Sequence, residues 1–460
     1  MHVYRGRICA AVATAAILLA GCATTEAEQA ADTRKEPFPS TYQPLPGGPT
    51  ALVGATVLTG TGTSIENATV LFSQGKIEAV GQGLKVPEGY VSIDAKGKWI
   101  TPGIVDAHSH LGVYSSPGVH AHSDGNEATS PNTAEVWAEH SVWPQDEGFN
   151  AARRGGVTTL MILPGSANLF GGRTVTLKNV PATTMQAMKI PGAPYGLKMS
   201  CGENPKRVYG NKGAQPSTRM GNVAGYRAAW IKAAQYARQL KASAEGKGAP
   251  PDRDLRMETL AGVLNGEILV QNHCYRADEM AIMIDIAVEF GFSITAFHHA
   301  SEAYKIAPML AKHGICSATW AGWWGFKLEA YDGIEENAAL LEKGGACAVI
   351  HSDDPNLTQR LNQETAAAMA AGRRLGIQVP EAIAIKWITA NAAKMLGIAD
   401  KTGSLEEGKM ADVVVWSANP FSVYAKAEKV FIDGGLAYDR NDPKFQPKSD
   451  FMLGRPKGGN

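Results

Sequence analysis

A (β/α)8 barrel carrying a small β-sandwich domain built from both chain ends is the fold class this sequence predicts, on three observations. Eight short apolar runs between Gly103 and Leu396 alternate with helical stretches, the pattern of parallel strands joined by helical crossovers. The segments on either side share another texture, short β-rich runs cut by glycine turns. The chain has 460 residues, 44% of them hydrophobic, enough for one large barrel with a smaller companion.

Taken in order, residues 1–22 read as a secretory signal. Arg5 and Arg7 precede the apolar run "AAVATAAILLAGC", which is short for a membrane span and rich in small residues. Its "LAGC" end resembles the bacterial lipoprotein cleavage box, which makes Cys22 the lipidated first residue of the mature chain. Ala23 lacks the aspartate associated with inner-membrane retention, so the expectation is an outer-membrane anchor facing the periplasm. Residues 23–50 are polar and then proline-rich, and read as a linker.

Residues 51–102, with "ALVGATVLTGTG" and "ATVLFSQGKIEAVG", and residues 400–445, with "MADVVVW" and "KVFIDGGLAYD", are expected to meet in one composite β domain. Residues 103–399 form the barrel inserted between them. Its strand candidates are "GIVDAHSH", "GVTTLMILPG", "GRTVTLKN", "YGLKMSCGEN", "EILVQNHC", "FSITAFHH", "GICSATW" and "ACAVIHSDD". Amphipathic stretches such as "ADEMAIMIDIAVEFG" separate several of them.

Basic and acidic residues balance at 44 each, so nothing in the charge points to nucleic acid or an acidic partner. Cys201, Cys274, Cys316 and Cys347 all fall in or beside apolar runs. They are expected to be packed thiols and not disulfides, despite the oxidising compartment.

Sites on this fold are built at the C-terminal ends of the strands. His108 and His110 end the first run, His273 the fifth, His298 and His299 the sixth, and Asp353 the eighth. In "HSH" the two imidazoles lie one residue apart, which on a strand turns both to the same face. Imidazole with carboxylate suits zinc, or another divalent transition metal.

The stretches "TPGIVDAHSH", "GGVTTL", "PGSANLFGG", "LKMSCGENPKR", "HHASEAYKIA", "HSDDPN" and "TANAAKMLGIADKTGSLEEGKMADVVVW" resemble the amidohydrolase superfamily, specifically its imidazolonepropionase-like and prolidase-like members. The resemblance spans about Ala51 to Asp439. It implies a metallohydrolase acting on a small-molecule substrate, with one or two divalent ions, most simply zinc. His108, His110 and His273 match metal ligands. His299 is selected over His298 because the family places histidine three residues before the glutamate of a "HGTEAYK"-like run. Strand alternation agrees, since one of two adjacent side chains faces inward, and His298 is then a packed or surface histidine. Asp353 matches the aspartate that touches metal and takes the proton of the attacking water.

The bridging ligand stays open between Lys198 and Glu203. Strand counting and similarity to "IK" runs favour the lysine, which must be carboxylated. Position at the strand end and a charge that needs no modification favour Glu203, to which the balance tips slightly. Lys206, Arg207 and Tyr209 are candidates to clamp a substrate carboxylate, or form a solvated basic turn. The implied activity is cleavage of an amide, peptide or cyclic-amide C–N bond. The alternatives are deamination of a heterocycle, weakened by the absence of a glutamate just before His273, and a non-catalytic surface lipoprotein that binds a metal or ligand.

Overall fold

The computed structural model describes residues 37–323 and 325–446; the signal segment and Cys22 lie outside them. Among the described residues no helix is long and apolar enough to cross a membrane. The first strands are β1 (Thr50–Leu58), β2 (Ser64–Ser73), β3 (Lys76–Gln82), β4 (Val91–Asp94) and β5 (Trp99–Pro102). β1, β2 and β3 form an antiparallel meander whose second turn, Gln74–Gly75, has positive φ at both residues, the two-residue turn that matches strand twist.

The chain then enters β6 (Ile104–Ser109), α1 (Glu147–Arg154), β7 (Val157–Ile162), β8 (Phe170–Arg173), β9 (Val175–Lys178) and β10 (Gly196–Ser200). Next come α2 (Glu203–Gly210), α3 (Arg219–Ala244), α4 (Leu255–Leu264), β11 (Leu269–Cys274), α5 (Ala277–Phe290), β12 (Ile294–His299), α6 (Ala307–His313), β13 (Cys316–Thr319), α7 (Asn337–Lys343) and β14 (Cys347–Ile350). Every residue of β6, β7 and β10 is buried. This explains why they read as continuous apolar runs and not as alternating ones: strands covered on both faces have no wet side. The caps follow local chemistry. Asp254 accepts hydrogen bonds from the Arg256 and Met257 amides to start α4, and Gly291, at φ +75°, ends α5 in the left-handed conformation.

Two sheets result, one ordered β14-β13-β12-β11-β10-β8 and one ordered β6-β7-β9. β10 to β14 run parallel, as do β6 and β7. The expected third run, "GRTVTLKN", is not one strand. It breaks at Thr174 into β8, antiparallel to β10, and β9, antiparallel to β7. Gly172 permits the break: its φ is +111°, and a Cβ there would lie 2.3 Å from the Val136 carbonyl oxygen. At the opposite seam Ser352 and Asp353, just past β14, bond to β6. The Asp353 amide donates to the His108 carbonyl at 3.0 Å, and Ser352 donates to Asp106 through its amide at 3.2 Å and its hydroxyl at 2.5 Å.

The chain ends with β15 (Val413–Trp416), β16 (Ala427–Ile432) and β17 (Gly435–Asp439). β15 pairs with β5, so both chain ends share one eight-stranded sheet, ordered β17-β16-β15-β5-β1-β2-β3 with β4 also on β1. The interface with the central sheets holds a buried charge cluster. Lys178 Nζ lies 2.7 Å from Asp412 and 3.1 Å from Asp433, Thr402 donates to Asp412 at 2.6 Å and Tyr42 to Asp433 at 2.5 Å. Tyr42 belongs to the expected linker. From Phe38 onward that segment is docked, with Ser40 donating to the Lys189 carbonyl and the Thr41 amide to that of Gln186.

The four strand cysteines correct the expectation of free thiols. Cys201 is bonded to Cys274 and Cys316 to Cys347, with Cα separations of 5.2 and 4.4 Å. Apolar runs were read as sites of packed thiols, but these runs are neighbours in one sheet. The pairing of Ser200 with His273 brings Cys201 beside Cys274, and Cys316 stands directly opposite Cys347, within bridging distance.

Candidate metal centre

His108 is fully buried at the end of β6. Its Nε2 faces three groups from other elements: His110 Nε2 at 3.3 Å, Asp353 Oδ1 at 3.3 Å and Lys198 Nζ at 3.4 Å. His110 Nε2 is 3.2 Å from the same Asp353 oxygen, and its Nδ1 donates to the Leu163 carbonyl at 2.9 Å. That carbonyl, one residue past β7, fixes the ring with the Nε2 lone pair toward the cluster. His299 Nδ1 lies 3.7 Å from Asp353 Oδ2. The His273 ring is 4.5 Å from that of His299.

The backbone is unusual where two of these residues leave their strands. His299 has φ +70° and Asp353 φ +60°, the left-handed region that non-glycine residues adopt at a cost of about 1–2 kcal/mol. This turn defeats simple alternation: His298 and His299 are both buried. His298 stays in register on β12, and its Nδ1 lies 2.7 Å from His108 Nδ1.

Electrostatics suit a cation. Burial pushes the imidazoles of His108, His273, His298 and His299 well below their ordinary range, toward the neutral form that ligates metals. Burial alone would raise the Asp353 carboxyl; positive charge at His108 and His299, or on a cation held among them, outweighs that and holds it well below the usual carboxylate range. Burial brings Lys198 down to about 8. The buried ring nitrogens of His273, Nδ1 of His299 and both nitrogens of His351 have no hydrogen-bond partner. Orphaned buried nitrogens in such number are costly unless something else satisfies them, and the donor set fits a divalent ion.

Of the remaining candidates, Glu203 opens α2 away from the imidazoles. Its carboxylate is 3.9 Å from Lys327 Nζ and its amide donates to Glu329 at 2.9 Å. The bridging question therefore has a geometric difference: Lys198 sits against His108 and Glu203 pairs with Lys327. Lys206 is half-buried and Arg207 exposed on α2, where Arg207 reaches only Asn204, at 3.5 Å. The Tyr209 hydroxyl donates to the Ser130 carbonyl at 2.6 Å and accepts from Asn168 at 3.0 Å. It anchors the long segment after β6, and no hydrogen bond or ion pair among the described residues joins these three to the imidazole cluster.

Sequence reasoning missed His351. It is fully buried, stacks on His108 at 5.0 Å and lies in a group with His108 and His299 that can hold an ion. The signal is present in "HSDD", where His351 stands two residues before Asp353 and so on the same side of an extended chain. The wall beside the cluster is aromatic. His299 stacks on Trp320 at 4.7 Å and on Tyr275 at 5.1 Å, and those two rings also meet each other at 6.3 Å; Trp323 stacks on Trp320 at 5.5 Å, and Lys327 Nζ stands 4.0 Å over Tyr275.

Comparison with known proteins places the chain in a family. The amidohydrolase family matches residues 267–437. The crystal structure of an amidohydrolase from Thermotoga maritima MSB8 is 38% identical, with a TM-score of 0.78 over 85% of this chain and 100% of that one. The amidohydrolase tasK of Hapsidospora irregularis is 33% identical over 432 residues, 85% of this chain and 43% of that protein, so the chain spans less than half the length of that relative. An imidazolonepropionase from Mesorhizobium japonicum is 24% identical over 76% of this chain and 87% of its own length. With the whole length of the Thermotoga maritima protein matched at that identity and the imidazole–carboxylate cluster in place, this chain belongs to the amidohydrolase family.

Proposed function

We propose that the protein is a metal-dependent hydrolase that cleaves an amide, peptide or cyclic-amide C–N bond of a small molecule. The observation that carries this is the meeting of His110 Nε2, Asp353 Oδ1 and Lys198 Nζ around His108 Nε2 at 3.3 to 3.4 Å. In this reading the two central sheets, joined at Thr174 and at the Asp106–Ser352 seam, are the wall of a (β/α)8-type barrel whose third strand is reversed. Zinc, as one or two ions, would be held by His108, His110, His273, His299 and Asp353. When bound it supplies a water acidified from about 15.7 toward 7 and a polarised carbonyl.

The chain's own groups do the rest. Asp353, kept ionised among the imidazoles, accepts the proton of the attacking water and delivers it to the leaving nitrogen. Lys198, with its amine brought toward neutrality by burial and its Nζ 3.4 Å from His108 Nε2, would be the further anionic ligand in place of Glu203: its free amine would add to carbon dioxide and lose a proton to become a carbamate. The aromatic wall and the docked segment after β6 exclude bulk water. A lipid anchor at Cys22 on the periplasmic face of the outer membrane completes the reading, and two cystines in the fold accord with an oxidising compartment.

The test is metal analysis of the purified full chain, then a screen of N-acylated amino acids, Xaa-Pro dipeptides and cyclic imides. Asp353→Asn should lower kcat on any substrate found by about 10²–10⁴-fold, the usual contribution of a positioned proton acceptor, while metal content falls less. Wild-type protein that holds metal and hydrolyses none of the three classes, or an Asp353→Asn variant as fast as wild type, overturns the proposal.

A further inference from the structure

His298 is buried, one residue before a candidate ligand, and has no part in the proposed chemistry. Its contacts form a chain leading out from the metal centre. His298 Nδ1 is 2.7 Å from His108 Nδ1, His298 Nε2 is 2.8 Å from Gln271 Oε1, and Gln271 Nε2 donates to the Met395 carbonyl at 3.0 Å. Both His298 and Gln271 are completely excluded from solvent, so water cannot substitute for any of these partners.

We propose that Gln271 and His298 form a buried tautomer relay that keeps the proton of His108 on Nδ1 and its Nε2 lone pair facing the metal centre. The logic is donor accounting. A backbone carbonyl only accepts, so Met395 fixes the Gln271 amide with its NH₂ outward and its Oε1 toward His298. That oxygen accepts, so His298 Nε2 carries a hydrogen, and a neutral His298 is left with a lone pair on Nδ1. The one proton in the 2.7 Å contact therefore belongs to His108 Nδ1. The opposite arrangement, with His298 donating to His108, turns the bare His298 Nε2 against Gln271 Oε1. Flipping the amide to repair this sets Oε1 against the Met395 carbonyl. Each alternative leaves two acceptors face to face in a dry interior.

The contrast with His110 shows why a relay is needed. His110 is oriented by the Leu163 carbonyl, which has one possible role. His108 meets another imidazole, which can donate or accept, so its orientation must be imposed from one residue further out. His298 is thus a positioning residue for His108, as partners beyond the ligands are in metal sites generally.

The inference rests on the proposed metal centre for its consequence but not for the tautomer, and the experiment separates the two. In 15N-histidine-labelled full-length apoprotein, long-range proton–nitrogen spectra should show His108 with a protonated Nδ1 and a bare Nε2; His108 protonated on Nε2 overturns the relay. Zinc affinity, measured by chelator competition, should fall about 10–100-fold in His298→Leu. It should return to within a few-fold of wild type in His298→Asn, because the asparagine Oδ1 occupies the place of His Nδ1 and can accept the same hydrogen. Equal zinc affinity in folded His298→Leu overturns the positioning role, as does an asparagine variant as weak as the leucine one. Should the leucine variant not fold, the wild-type spectrum decides. A wild-type protein that shows the predicted tautomer and binds no zinc would count against the metal-centre reading alone.

Discussion

Removing the two cystines gives a prediction whose size follows from the chain. Cys201–Cys274 closes a separation of 73 residues and Cys316–Cys347 one of 31. The chain-entropy relation assigns such loops about 4.4 and about 3.7 kcal/mol at 25 °C. Measured losses for native bridges run about 2–5 kcal/mol. The pairs Cys201→Ala/Cys274→Ala and Cys316→Ala/Cys347→Ala should each lower unfolding free energy within that range, the first by slightly more. Because the effect acts through the unfolded chain, urea denaturation should show the midpoint falling, and unfolded wild type treated with reductant should behave like the variants. Non-reducing peptide mapping by mass spectrometry should recover the 201–274 and 316–347 linked peptides. Free thiols at these four positions in unreduced protein, or a loss below about 0.5 kcal/mol for either pair, would refute the reasoning.

Lys178→Met should destabilise the protein by about 3–5 kcal/mol in the same urea assay, since it strands Asp412 and Asp433 in a buried site; a loss under 1 kcal/mol would mean the cluster is not buried as described. Glu279 supplies a pH signature. Burial, then Glu329, pushes its carboxyl up to about 7. The folded state thus holds a proton that the unfolded state releases between about 4.5 and 7, and stability falls as pH rises through that window. Glu279→Gln removes this decline, so its melting temperature relative to wild type should be higher at pH 8 than at pH 5; an offset equal at both pH values contradicts the assignment.

The residues that converge were more legible in the sequence than the wall that holds them. Histidines and the aspartate stood at the ends of apolar runs, and those ends do converge, because a strand's terminus is a local property that composition marks. Partners across the sheet are not local. Nothing in "GRTVTLKN" says that its halves pair with different neighbours, and the cause, a glycine pressed against Val136, lies 36 residues upstream in contact. The cystines were hidden for the same reason: burial was legible, but register between distant runs was not. Lys198 and Glu203 are five residues apart, yet the turn at Gly202, φ +80°, sends one inward and the other to Lys327. His298, expected to be a packed or surface histidine, is packed, and His299 is buried beside it because the chain turns to φ +70° there.

That departure at His299 has a physical logic shared with Asp353. Glycine would enter the left-handed region freely, but glycine offers no donor atom, so a ligand placed where the chain must turn off the strand has to bear the strain. The surrounding backbone supplies compensation. The Asp353 amide bonds to the His108 carbonyl at 3.0 Å, the Ala300 amide to the Cys274 carbonyl at 3.1 Å and the Glu302 amide to the Tyr275 carbonyl at 3.0 Å. Each bond ties the end of one ligand-bearing strand to the end of another, β14 to β6 and β12 to β11. At about 0.5–1.5 kcal/mol apiece, they are of the right size to offset much of the strain at His299, Ala300 and Asp353, all of which have positive φ. The consequence is positional: His108, His273, His299 and Asp353 cannot shift independently, because the bonds that make the turns tolerable are the bonds that fix the strand ends against one another. A candidate centre built this way has its side chains fixed by the backbone itself, the preorganisation that electrostatic catalysis requires.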